Sequence, residues 1–191
     1  MKNTLKTSVY LLLVFLLTSC IGDKKTVIGM ETGTDDFTNK DFKGNVYSFT
    51  ELPDDLCQYL NTNDILKAYE NDGVNEVKID PTKRFMGKNC DFTLLYNDPS
   101  KYSRGMISVV QDQGEDESLW EEKWEGRKKI YKSASYVFGL GKAAIWIEKQ
   151  RKLEIKMDGY TIYFTPPATY DKSFDYKTTA VNSIKNAQFF K

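Results

Sequence analysis

No histidine occurs in the chain, and that absence removes the commonest general base, proton shuttle and transition-metal ligand together. Hydrolases built on a serine–histidine or cysteine–histidine pair are excluded, as are most zinc sites. Carboxylate-only chemistry, such as glycoside hydrolysis, stays open. A charge excess is lacking too, since 27 basic residues balance 27 acidic ones. Nothing in the composition therefore draws the chain to nucleic acid or to anionic lipid. The apolar run at residues 9–17 is less than half of the roughly 20 residues that a membrane-crossing helix needs. No internal repeat or low-complexity tract is present, which excludes solenoids and fibrous arrays.

What is present starts at the N-terminus. Lys2 and Lys6 precede the apolar run and small residues follow it, the three-part pattern of an export signal, which is removed rather than folded. Its end, Leu17-Thr18-Ser19-Cys20, resembles the lipobox of bacterial lipoproteins. That resemblance implies that residues 1–19 are a signal peptide, that cleavage falls before Cys20, and that Cys20 carries a diacylglyceryl group on sulfur and an acyl chain on its new amine. At about 0.8 kcal/mol per buried CH2, two or three chains hold a water-soluble body on a membrane. The alternative is an ordinary secretory signal followed by a chance cysteine. Ile21 stands where an aspartate commonly retains such lipoproteins at the inner membrane of diderm bacteria. The expected location is thus the cell envelope, lipid-anchored at the outer membrane, facing periplasm or surface.

Residues 20–50 combine glycine, threonine and scattered charge without a sustained period. They read as the lipidated cysteine and a flexible tether, with residues 46–49 as a possible first edge strand. A coil of about 25 residues spans roughly 25 to 30 Å. Residues 51–191 read as one globular domain, long enough to bury its own core. With Cys20 lipidated, Cys57 and Cys90 are left as a pair in an oxidising compartment, where a disulfide is the default. Two free buried thiols are the competing reading. The bridge would stabilise by roughly 3 to 4 kcal/mol through loop closure.

Within the domain, Thr62 as N-cap with Asp64, Ile65, Leu66 and Tyr69 predicts a helix over 62–71, ended by Asn71-Asp72-Gly73. Residues 89–96 and 104–111, rich in branched and aromatic side chains and separated by Asn97-Asp98-Pro99-Ser100, predict two adjacent antiparallel strands. Ser118 and Glu121 form a capping box ahead of a stripe of Trp120, Trp124 and Tyr131, which predicts a second helix aided by a Glu125–Lys129 pair and weakened by Gly126. Residues 143–147 read as a strand. Leu153, Ile155 and Met157 alternate with charged residues before Asp158-Gly159, and Tyr160 to Thr165 returns, a hairpin whose turn residues both favour positive φ. Ala180, Val181, Ile184 and Ala187 share one face of a C-terminal helix. Helices interspersed with strands on short turns predict the α+β class, an antiparallel sheet with helices packed on it, in a single domain. A closed barrel is the runner-up.

Three features coincide: Cys57 followed by Leu60, Asp64 and Ile65; Cys90 followed by Phe92; and Gly139-Leu140-Gly141-Lys142-Ala143-Ala144 before the last hairpin. Together they resemble a bacterial envelope lipoprotein domain of unknown function, which is itself similar to extracellular sensor regions of some receptor serine/threonine kinases. The resemblance spans residues 53–190, with Phe92 where tryptophan is usual. It implies an α+β sheet domain, a Cys57–Cys90 bridge and no established enzymatic activity.

Candidate sites are few. The stretch at 139–144 lacks the third glycine and the strand-to-helix setting of a phosphate loop, so its glycines are expected to serve a turn. Trp120 and Trp124 would form an exposed platform for a glycan or protein partner, or the core side of an amphipathic helix, which their spacing favours. The acids of residues 112–117 lack EF-hand spacing and read as a solvated loop. No pair of acids stands out for catalysis, and no cofactor or metal is expected. These features point to a non-catalytic, membrane-anchored module that binds an envelope protein or glycan. The alternatives are an inhibitor or immunity protein against an envelope hydrolase, and a carboxylate-based glycan hydrolase.

Overall fold

The computed structural model describes residues 37–80, 88–113 and 116–187. Seven antiparallel strands make one sheet: β1 (Val74–Asp80), β2 (Lys88–Tyr96), β3 (Tyr102–Gln111), β4 (Ala134–Val137), β5 (Ala143–Ile147), β6 (Lys152–Lys156) and β7 (Tyr160–Thr165). Their spatial order is β1-β2-β3-β7-β6-β5-β4. Two meanders, β1 to β3 and β4 to β7, are thus sewn together where β3 pairs with β7. Helices α1 (Thr62–Ala68), α2 (Trp120–Ile130) and α3 (Tyr176–Asn186) complete the domain. The class is α+β, and the sheet is open, with β1 and β4 at its edges.

Side chains alternate across the strands, so each strand offers one set to either face. Phe92 and Leu94 of β2, Ile107 and Val109 of β3, Ile155 of β6, and Ile162 and Phe164 of β7 lie in the main core with Ile65 of α1 and Ala180, Val181 and Ile184 of α3. Tyr69, just after α1, stacks on Phe174 at 4.7 Å, and its hydroxyl donates to the Pro167 carbonyl at 3.2 Å. Burial pushes its phenol far above the usual tyrosine range. On the opposite face, α2 covers only the β4–β5–β6 half through a smaller cluster of Phe37, Trp124, Tyr136, Ala143 and Ile145. Among the described residues, no helix lies on the β1–β2–β3 half of that face.

Local chemistry explains the boundaries. Asn61, one residue ahead of the expected Thr62, caps α1 by accepting from the amides of Asn63 (3.1 Å) and Asp64 (3.4 Å). The chain then tightens into a 3-10 turn at Glu70–Asp72, closed by Gly73 at φ 81°. The 3-10 turn leading into α2 is capped by Asp116, whose carboxylate accepts from the Ser118 amide at 2.9 Å and hydroxyl at 2.7 Å, while α2 itself has no side-chain cap. The expected Ser118 capping box is replaced because a 3-10 turn at Glu117–Leu119 intervenes. Gly126 is accommodated within α2, and Glu125 pairs with Lys129 at 3.1 Å. At the Asp158-Gly159 turn only Gly159 takes positive φ, 75°. Gly139 (φ 78°) and Gly141 (φ 56°) turn the chain into β5, as their type suggests.

Strands β1 and β4 carry no mark in the sequence pattern. A register shift between Val74 and Glu76 breaks the period of β1, and β4 has only four residues. The stretch assigned to a tether is also partly drawn onto the domain. Phe37 is buried and stacks on Tyr136 at 5.0 Å. Asn39 donates its amide to the Lys142 carbonyl and its Nδ2 to the Gly141 carbonyl, both at 2.8 Å. Phe42, Tyr47 and Phe49 pack against the main core. Residues 46–49 form no strand; each aromatic fills its own site, which needs no regular spacing. The expected signal peptide, Cys20 and the rest of the expected tether to residue 36 lie outside the described residues.

Candidate functional site

Of the residues singled out in the sequence, Cys57 and Cys90 are joined in a disulfide, with Cα atoms 4.8 Å apart. The bridge ties the 3-10 turn Leu56–Tyr59 to β2 beside a parallel bridge from Asp55 to Asn89. Both cysteines are buried, so the bond staples the core. Trp124 is 3% exposed and Trp120 half-buried, because a four-residue step on α2 turns both indoles toward the sheet. Phe37 meets the Trp120 edge at 6.2 Å and Lys142 Nζ sits 4.8 Å from its ring centre. The pair is a packing element here, and no open platform is left.

Beneath α2 the polar face of β6 is closed off. Lys156 is 1% exposed; its ammonium donates to Asp112 at 2.5 Å and to Glu117 at 3.0 Å. The Thr161 hydroxyl donates to the second Asp112 oxygen at 3.1 Å. Lys142 joins Glu117 at 2.8 Å and Asp158 at 3.0 Å. Burial alone would raise the Glu117 carboxyl, but hydrogen bonds from Lys142 and Lys156 outweigh it and hold the group below its usual range. Burial would likewise lower Lys142, and Glu117 and Asp158 overcome it. Two residues away Glu154, 1% exposed, pairs with Arg127 of α2 and with Lys152 at 2.6 Å. Asp112 and Glu117 of the 112–117 stretch are therefore partners of Lys156 and Lys142 rather than part of a fully solvated loop. Each described charge in this layer is neutralised locally, which suits a latch.

The uncovered half of the same face is different. Strand register lines up Asp80, Asp91, Met106 and Thr165 in one row across β1, β2, β3 and β7. Two residues along, Lys78, Thr93 and Arg104 form the next row. Strand geometry sets the rows about 7 Å apart. A concavity of about 380 Å³ opens here, lined by Asp80, Asp91, Thr93, Arg104, Met106 and Thr165 together with Phe92 and Gly105. Asp91 accepts from Asn89 Nδ2 at 2.9 Å. Arg104 lies 5.9 Å from the Tyr102 ring and, like Asp80, has no ion-pair partner among the described residues. Asp80 and Asp91 stand directly opposed on neighbouring strands, where like charges work against the sheet unless their surroundings offset them.

The sequence held a trace of this site. Asp91 and Thr93, and Arg104 and Met106, fall on the non-core parity of the two strands predicted at 89–96 and 104–111. What was missing is β1, which brings Asp80, and the pairing of β3 with the distant β7, which brings Thr165. Among the described residues no three carboxylate, cysteine or histidine groups converge on a metal position, and no helix is long and apolar enough to cross a membrane. Compared with protein-family models, curated proteins and solved structures, the chain matches none.

Proposed function

We propose that this chain is a lipid-anchored envelope protein whose α+β domain binds, without chemical transformation, a polar envelope component on the open half of its sheet. One observation carries the reading: the fold buries and neutralises the charges beneath α2, yet leaves Asp80 and Arg104 in a concavity without ion-pair partners among the described residues. Binding sites are concave and hold a few convergent polar groups. The absence of histidine supports binding over acid–base catalysis. So does the placement of the two acids, because carboxylate-based hydrolysis needs one on each side of the scissile bond. Asp80 and Asp91 are neighbours in one row of one face.

The anchoring half of the reading rests on the lipobox-like Leu17-Thr18-Ser19-Cys20. Mass spectrometry of the membrane-extracted protein should find residue 20 acylated and residues 1–19 gone. The binding half is tested by a photo-crosslinking side chain placed at Met106, inside the concavity, or at Ser173, remote from it in a turn. Illumination of intact cells should give a defined adduct from position 106 and none from 173. Equal adducts, or none from 106, would remove the open face as the binding surface.

A further inference from the structure

We propose that the β1 edge of the sheet is an interface at which β1 pairs antiparallel with β1 of a second copy of this chain, about a two-fold axis through Val77. This pairing uses the rim of the sheet and is independent of what the concavity binds. A sheet edge carries backbone N–H and C=O groups with no strand to bond, and proteins either cover such an edge or pair it. The two edges here differ. β4 has only four residues; Phe37 stacks on Tyr136 from one face, and Lys177 Nζ donates to the Ser135 hydroxyl at 2.9 Å from the other. β1 has seven residues, and among the described residues no strand lies beyond it. Val77 and Ile79 stand opposite Leu94 and Phe92 on the core side, yet both are only half-buried, whereas Leu94 and Phe92 are fully buried. Apolar area is thus left at the rim for a further strand to cover.

Charge selects the occupant. On its other face β1 presents Glu76, Lys78 and Asp80, alternating in sign and all exposed; neither Glu76 nor Lys78 has an ion-pair partner among the described residues. In an antiparallel pair, residues equidistant from the axis face each other. An axis at Val77 therefore sets Glu76 opposite the partner's Lys78, and Lys78 opposite the partner's Glu76, two favourable cross-strand pairs. An axis at Lys78 opposes that lysine to its own copy and Glu76 to the partner's Asp80, so like charges meet throughout. An axis at Ile79 joins opposite charges but pairs only the last three residues of β1. Val77 is the centre that joins opposite charges and engages the whole strand. Opposed residues share a face, so the open halves of the two copies come to lie on the same side of one continuous sheet. The contact is isologous and closes on itself, giving a dimer rather than a fibre. A seven-residue strand pair is small beside the roughly 1,200 to 2,000 Å² of a standard interface, which makes the dimer weak and reversible.

The test is sedimentation velocity of the purified full chain in a density-matched detergent, at concentrations up to about 0.5 mM, where weak pairing is populated. The parent should dimerise. E76K and K78E should each weaken the dimer at least about tenfold, because by symmetry each reversal turns two attractive cross-strand pairs into two repulsive ones. An equimolar mixture of E76K and K78E should restore association as a heterodimer, since both charges on one chain then meet opposite charges on the other. Both positions are exposed, so unfolding midpoints equal to the parent's confirm that the variants are folded, and recovery on mixing is a result that no folding defect produces. A parent that stays monomeric at about 0.5 mM, reversals that leave the dimer unchanged, or a mixture of the two folded variants that fails to associate would each overturn the self-pairing.

Discussion

Replacing Lys156 by methionine puts the buried ionic layer to its sharpest test. The side chain is 1% exposed, 2.5 Å from Asp112, whose own side chain is 11% exposed. Coulomb attraction at that distance is about 7 kcal/mol at an effective dielectric of 20. Desolvation of both ions offsets most of it, so the pair adds little beyond what two apolar residues would supply. Breaking it is another matter. K156M leaves Asp112 almost dry with Thr161 as its remaining hydrogen-bond donor, at a cost of about 3 to 5 kcal/mol. D112N costs less, about 2 kcal/mol, because Lys156 keeps Glu117. The double variant should sit within about 2 kcal/mol of the parent, giving a coupling energy of at least about 3 kcal/mol. Urea unfolding followed by tryptophan fluorescence reads this directly, since Trp124 and Trp146 are both buried. With a slope of about 2 kcal/mol/M, K156M alone should lower the midpoint by roughly 2 M at unchanged slope. Effects that simply add would show that the two charges do not depend on each other, and the latch interpretation would fail.

Further outcomes follow from the same structure. G141A should destabilise by about 3 kcal/mol or more, since its φ is 56° and a Cβ would lie 2.3 Å from the Lys156 carbonyl oxygen. G126A in α2 meets nothing within 4 Å and should raise stability by about 0.5 to 1 kcal/mol; chemical unfolding of the two variants side by side separates conformation from composition. Reduction of the Cys57–Cys90 bridge, 33 residues apart, should lower stability by about 4 kcal/mol in the loop-closure model. Thiol titration after denaturation without reductant should find neither cysteine, and finding both would refute the bridge. Glu117 has its folded value below the ordinary 4.5, so its contribution is full above that pH and is lost as pH falls through the lowered value. E117Q should therefore be less stable than the parent near neutrality and should narrow that gap on acidification; a gap that stays constant from neutral to acid pH would refute the assignment.

The elements legible in the sequence are those whose stability is local. Asp158-Gly159 between alternating runs, the apolar stripe of Ala180, Val181 and Ile184, and the branched residues of β2 and β3 each carry a periodic pattern that a single segment determines by itself. Caps were legible by type and missed by one or two residues, because which of two nearby capping side chains reaches the first free amides is decided by the surrounding turn, Asn61 ahead of Thr62 and Asp116 ahead of Ser118. The bulged β1 and the four-residue β4 escaped, since neither sustains a period.

The alternation of Lys152, Glu154 and Lys156 with apolar residues reads in the sequence as a solvated strand face. Only the arrival of α2 and the loop before it, from more than 20 residues upstream, makes that face an interior. The open site is decided at the same level. Asp80 and Asp91 are brought opposite each other by β1–β2 pairing, and Thr165 joins Met106 because β7 returns across 59 positions of chain to close the sheet. The chain alone thus settled its class, its bridge-forming cysteines and its lack of histidine chemistry, all properties of composition or short segments. Which charges are buried and which are left facing outward depends on what covers each face of the sheet, and covering is a contact between distant residues that no local pattern encodes.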